Sequence, residues 1–142
     1  AASQAAQMAL HHADAVQQLN PVHLNFVKTR ARVMFTLAQI YPQMINQAQQ
    51  ALERGIVLSP TDPKLHYNLG LLYLQQDDQQ PAREFLEKTV QLKPNYEAAR
   101  LSLGNLYTDL KLFDQAKAEY QYILDFIAPQ NLQVQDALNN LP

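Results

Sequence analysis

The chain has 142 residues, of which 47% are hydrophobic and 17% charged, with a net charge of −2 and no cysteine. It is long enough for one domain with a real core and too apolar to be disordered. Near-neutral charge without a block of Lys or Arg argues against nucleic-acid binding, which draws its affinity from clustered cations. Without Cys there are no disulfides, thiolate metal sites or Cys nucleophiles.

The first stretch, AASQAAQMALHHADAVQQLNP, lacks the basic leader and apolar core of a signal peptide. No run in the chain approaches a membrane span in length, so no membrane insertion of this segment is expected. With no initiator Met, the chain reads as a piece excised from a longer protein. Residues 1–21 read as one helix with Ala9, Ala13 and Val16 on its packing face, closed by Pro21.

Residues 22–62 read as a helix pair. FVKTRARVMFTLAQIY places Val27, Ala31 and Met34 on one face, and QMINQAQQALERGIVLSP places Ala48 and Leu52 on another, with Pro60 as the stop. Residues 63–96 form a second pair, HYNLGLLY followed by AREFLEKTVQLKP. Its second run aligns Ala82, Phe85, Leu86, Thr89, Val90 and Leu92 at spacings of three and four. Pro81 suits a first helical turn, Pro94 closes the run, and QQDDQQ between them reads as a polar turn. Residues 97–130 form a third pair, RLSLGNLY and AKAEYQYILDFIAP. Ala116, Tyr120, Ile123, Leu124 and Ile127 make the face, Asp114 is the expected N-cap and Pro129 the stop. Residues 131–142 read as a lone amphipathic helix with Leu132, Val134, Leu138 and Leu141.

The pairs repeat. Leu69, Gly70, Leu72, Tyr73, Ala82 and Pro94 return as Leu103, Gly104, Leu106, Tyr107, Ala116 and Pro129, at a period of 34 for all but the last, which comes one residue late. From Pro21 to Pro60 the interval is 39. The first pair therefore carries about five extra residues, in its first helix or in the turn near Tyr41-Pro42. A Gly inside a helix costs about 1 kcal/mol against Ala. Two at the same repeat place imply close backbone approach. Gly70 and Gly104 are expected to let the two helices of a unit meet, with Tyr73, Tyr107, Ala82 and Ala116 filling the same interface.

The LG..Y core, the Ala, the closing Pro and the period resemble the tetratricopeptide repeat (TPR) family. His66 and Arg100 stand where that family often has Trp. The resemblance implies an all-α fold: a right-handed superhelical solenoid of antiparallel helix pairs. It would hold about three repeats, a leading half-repeat and a C-terminal capping helix over 131–142, as a single domain over 1–142. It also implies a concave groove lined by the first helix of each unit. In register, the groove would present Lys28, Thr29, Arg32 and Phe35, then Lys64, Tyr67, Asn68, Leu71 and Leu74, then Ala98, Leu101, Ser102, Asn105 and Asp109. Its first end is basic, its middle aromatic and apolar, its far end small and polar. The family's carboxylate clamp for chaperone C-terminal tails fits badly. Lys28 and Asn68 match it, but Arg32 stands for Asn, and Ala98 and Ser102 stand for a basic pair.

No catalytic constellation stands out: no HExxH, GxSxG, Walker loop or dinucleotide glycine cluster. His11 and His12 diverge on a helix, and His23 and His66 stand apart as surface or half-buried residues, so neither a metal nor a cofactor is expected. The leading expectation is a non-enzymatic scaffold that binds a protein or peptide in the groove. A second comes from NPVHLNFVKTRARVMFTLAQIYP followed by LSPTDPKLHYNLGLLY. These also resemble the repeat region attached to bacterial O-antigen ligase and polymerase-like membrane proteins, which implies a soluble appendage of a glycan-assembly enzyme. A third is self-association, a homodimer through Met8, Ala9, Ala13 and Val16 of the first helix.

Overall fold

The computed structural model describes residues 2–19 and 23–142, and within the first helix not the side chains of residues 2, 3, 6, 16, 17 and 19. The expectations for Val16 and for Pro21 lie outside the described residues. Every regular element described is helical: α1 (Ala2–Leu19), α2 (Leu24–Ile40), a 3-10 turn (Pro42–Met44), α3 (Ile45–Leu58), α4 (Pro63–Gln75), α5 (Gln79–Leu92), α6 (Glu97–Asp109), α7 (Phe113–Phe126) and α8 (Leu132–Asn139). Each helix packs on the next along the chain, most extensively within the pairs α2–α3, α4–α5 and α6–α7, and α2 also meets α4 directly. This is the solenoid of helix pairs that the repeat implied.

The extra residues of the first pair divide between both places considered. α2 has 17 residues against 13 in α4 and 13 in α6. The turn gains one more residue, because Tyr41 goes extended (φ −122°, ψ 92°) and Pro42 starts the 3-10 turn. Pro has no N–H to continue a ladder, so the chain leaves the α2 axis there.

The helix starts differ from one another. Asp62 caps α4, its carboxylate accepting the Lys64 N–H at 2.9 Å, with Pro63 at the first helical position. Asn131 caps α8 through the Val134 N–H at 3.2 Å. Asp114 does not cap α7. It lies inside the first turn, and Leu112 holds the cap position without a side-chain bond. There the carboxylate still meets the positive end of the helix dipole. α4 and α6 end alike. Asp77 and Lys111 take the left-handed conformation (φ 58° and 59°). The following N–H reaches back to Tyr73 O at 2.9 Å and Tyr107 O at 2.8 Å. This is the Schellman closure, built without glycine.

Two hydrophobic clusters run along the stack. One joins Ala31, Met34, Ala48, Leu52, Leu65, Leu69 and Leu72; the other joins Ala82, Leu86, Leu103, Leu106, Ala116, Tyr120, Ile123 and Val134. The glycines sit where expected. A Cβ on Gly104 would lie 2.5 Å from Cε1 of Tyr120, and one on Gly70 would lie 3.0 Å from Cγ of Leu86. Ala82 and Ala116 are fully buried beside them. The tyrosines reach further than an intra-unit role. Tyr73 is half-buried, its ring stacked on Phe85 at 5.6 Å, while Gln49 of α3 donates to its hydroxyl at 3.1 Å. Tyr107 is buried, and its hydroxyl donates to Glu87 of α5 at 2.8 Å. Each therefore ties its unit to the preceding one. Burial first, then the Glu87 contact, pushes the Tyr107 hydroxyl far above its ordinary pKa.

The two terminal helices depart from their expected faces. On α1, Leu10 packs into the first cluster and Asp14 pairs with Arg30 at 2.7 Å, while Ala9 is exposed and Ala13 half-buried. Ala9 stands 73 residues before Ala82, at the place that turns toward a first helix. On α8, Val134 is buried and Leu138 and Leu141 pack on the second cluster, but Leu132 is 71% exposed.

Candidate functional site

The candidate groove residues lie on the first helices of the three pairs. On α2, Lys28 and Phe35 are half-buried and Thr29 and Arg32 exposed. On α4, Tyr67, Asn68, Leu71 and Leu74 are half-buried and Lys64 exposed. On α6, Leu101 and Ser102 are half-buried and Ala98, Asn105 and Asp109 exposed. Phe35 leans on the first cluster, and Tyr67, Leu74 and Leu101 lean on the second. The apolar wall is thus the outer skin of the core, held by packing rather than by loops.

The structure joins several of these residues to neighbours that sequence reasoning did not name. Lys28 is not free: its ammonium lies 2.6 Å from the Asp62 carboxylate. Partial burial works to raise the Asp62 pKa. The hydrogen bonds from Lys28 and the Lys64 N–H, with the Lys28 charge, outweigh it and hold the carboxyl below its ordinary range. These groups edge a shallow hollow of about 460 Å³ with Ser59, Thr61, Pro63 and Lys64. Tyr67 packs against Tyr96 with ring centroids 5.0 Å apart, and the Lys93 ammonium lies 4.9 Å from the Tyr96 centroid. Tyr96 sits 34 residues after Asp62, so one repeat place supplies a carboxylate beside Lys28 and then an aromatic beside Tyr67.

Between α2 and α4, Gln39 donates to Gln75 at 3.2 Å, and Gln75 donates to the Ala38 carbonyl at 3.3 Å. At the far end, Asn105 accepts from the Tyr120 hydroxyl at 2.8 Å, which fixes its amide. Among the described residues, neither Arg32 nor Lys64 is held in an ion pair. The T-D-P cap signature was a signal for Asp62; nothing local in the sequence marks Gln39, Gln75 or Tyr96.

A second hollow, of about 780 Å³, lies among α1, α2 and α3, lined by Asp14, Gln18, Arg30, Gln50, Ala51, Glu53, Arg54 and Val57. Its charges alternate and include the Arg30–Asp14 pair. Among the described residues, no group of three His, Cys, Asp or Glu side chains is placed to hold a metal ion.

Comparison with known proteins agrees with this geometry. Residues 43–77 match the family model described as "TPR repeat", and residues 63–96 match the one described as "Tetratricopeptide repeat". The uncharacterized protein ycf37 of Porphyra purpurea is 29% identical over 104 residues, covering 71% of this chain. The match spans 57% of that relative's length. The crystal structure of MamA superposes with a TM-score of 0.79 at 20% identity, over 91% of this chain and 72% of that one. YrrB, described as a TPR protein with an unusual peptide-binding site, gives 0.75 at 17% identity, over 96% and 68%. At these identities the solved structures speak for the fold. Tetratricopeptide-repeat models thus match within residues 43–96, and the helix pairs stack in the helical solenoid fold of the solved structures.

Proposed function

We propose that this chain is a non-catalytic interaction module that holds a peptide or a partner helix along α2, α4 and α6. The observation that carries the reading is on α4. Tyr67 and Leu74 keep part of their surface open while anchored on the core, half-buried Leu71 lies on the same helix, and Tyr96 braces Tyr67. Rigid, half-open aromatic and aliphatic side chains are the usual anchors of peptide grooves. Arg32 and Lys64 add charge at one end, suited to a carboxylate, while Asp109 and Asn105 leave the other end acidic to neutral. The fold of YrrB, a TPR protein with an unusual peptide-binding site, supports the class of ligand and not its identity.

The test is selection of peptides from a displayed random library on the intact chain, followed by retesting on a Tyr67→Ser/Leu71→Asp variant. Selected peptides should lose at least tenfold in affinity on the variant, about 1.4 kcal/mol. Undiminished binding, or chemical-shift changes confined to α3, α5 and α7, would place recognition elsewhere.

The reading carries a negative expectation for chaperone tails. Lys28 is already engaged by Asp62, and Ala98 and Ser102 bring no charge. An acidic C-terminal peptide bound at micromolar affinity would refute this. Self-association is a second reading, favoured by Met8, which is 62% exposed beside exposed Ala9. Sedimentation of the chain and of Met8→Glu decides it: a concentration-dependent dimer lost in the variant supports the dimer, and a constant monomer removes it. The appendage reading, for an O-antigen ligase-like membrane protein, has no structural observation of its own. Among the described residues no helix is long and apolar enough to cross a membrane.

A further inference from the structure

His66 and Arg100 hold the same place in successive units, 34 residues apart. Both are buried, at 4% and 8% exposure. Around Arg100 the preceding loop and α7 supply what a buried cation needs. The Pro94 carbonyl accepts from its Nε, the Glu119 carboxylate accepts from Nη1 at 2.5 Å, and the Tyr122 ring centroid lies 3.4 Å from Cζ.

Thirty-four residues before Glu119 and Tyr122 stand Phe85 and Lys88. His66 therefore meets a phenyl ring edge-on at 6.1 Å where Arg100 has a carboxylate, and the exposed Lys88 holds the repeat place of the Tyr122 ring. Its Nδ1 is buried without a hydrogen-bond partner. The charges that bear on the ring are Lys88 of α5 and Asp62 at the head of α4. Asp62 is already bound to Lys28 and to the Lys64 N–H.

We propose that His66 is an acid-sensitive latch between α4 and α5. The neutral ring fills the space beside Phe85. The protonated ring adds a buried cation in the field of Lys88, with no carboxylate of its own, and loosens the pair. Because α4 also carries Tyr67, Asn68 and Leu71, acid opening removes the middle of the candidate groove. The latch itself does not depend on the groove being a binding site.

Burial first, and Lys88 second, hold the imidazole below its ordinary value of 6.5, against the pull of Asp62. A depressed folded value means that the unfolded chain binds the proton more readily. The stabilisation is present in full above 6.5 and drains away as pH falls from there through the folded value.

The experiment is thermal unfolding of the intact chain from about pH 7.5 to about pH 5, with ring resonances of His66 followed in parallel. The melting temperature of the wild type should fall about 3 °C more than that of His66→Phe. Lys88→Gln, at an exposed position, keeps the imidazole and should shrink that excess. The His66 ring should titrate clearly below 6.5. Parallel pH slopes for wild type and both variants, or a His66 ring titrating at or above its ordinary value, overturn the latch. If His66→Phe does not fold, the resonance and the Lys88→Gln slope decide alone.

Discussion

The pairs α4–α5 and α6–α7 share a skeleton and differ in how they are locked. Both place a glycine under the partner helix, a buried alanine opposite, and a tyrosine that reaches back one unit. Across the glycine, however, the first has Leu86 and the second Tyr120, whose hydroxyl also meets Asn105. At the next repeat place the first has His66 without a partner on Nδ1, and the second has Arg100 in a full cage. Repeat register and polar content are thus separable. The apolar places at period 34 decide that the helices meet. The polar places decide how each joint responds to charge and to added volume.

The largest break should come at the cage. Glu119→Ala leaves the Arg100 guanidinium buried with only the Pro94 carbonyl and the Tyr122 face. The expected loss is about 3 kcal/mol, since removing one member of a buried pair strands the other. Urea unfolding followed by circular dichroism reads it. Phe85, at the matching place of the other pair, has no such partner to strand. A loss under about 1 kcal/mol would make the Arg100–Glu119 bond a surface-like pair.

The glycines come next. Gly104→Ala puts a Cβ 2.5 Å from a buried aromatic ring that is itself pinned by hydrogen bonds. Overpacking of this kind costs about 2 kcal/mol, more than the helix propensity gained. Gly70→Ala meets the flexible Leu86 at 3.0 Å and should cost less, within about 1 kcal/mol of neutral. Equal losses in the same unfolding series would show that the ring yields as easily as the leucine.

Exchanging the locks sharpens the contrast further. His66→Arg with Phe85→Glu and Lys88→Tyr copies the Arg100 cage into the α4–α5 pair. The copied joint should lose the excess acid sensitivity of about 3 °C, because its cation is paired at every pH where Glu is ionised. Melting temperatures across the same pH range check it, and a slope unchanged from wild type would place the sensitivity outside this joint.

The apolar register was legible in the sequence because it repeats. Leu69, Gly70, Ala82 and their counterparts are fixed by spacing alone, and so is the irregular length of the first pair. The partners of polar side chains were less legible. Lys28 offers a cation to the groove in the sequence, yet Asp62 from the next helix start takes it. His66, read as surface or half-buried, is 4% exposed, because the Trp-like place it occupies is interior whatever residue fills it. Ala9 and Leu132 fit helical stripes but lie exposed. Spacing marks an apolar stripe but cannot say which side of a helix a neighbour covers.

The smallest effect is expected at the turns and runs the other way. Asp77 and Lys111 hold left-handed conformations that an L side chain adopts at a cost of about 1 kcal/mol. Glycine adopts them freely but has more freedom to lose on folding. Asp77→Gly and Lys111→Gly should therefore each stabilise by about 0.5 kcal/mol, and the two should add, since they sit in separate joints. The gain belongs to the backbone and not to either side chain's charge, so Lys111→Asn should capture part of it and Lys111→Ala none. Matched gains at both turns would mean that the two units share backbone geometry even where their locks differ. A gain at only one would mean that the side chain at the other contributes something the backbone alone does not explain.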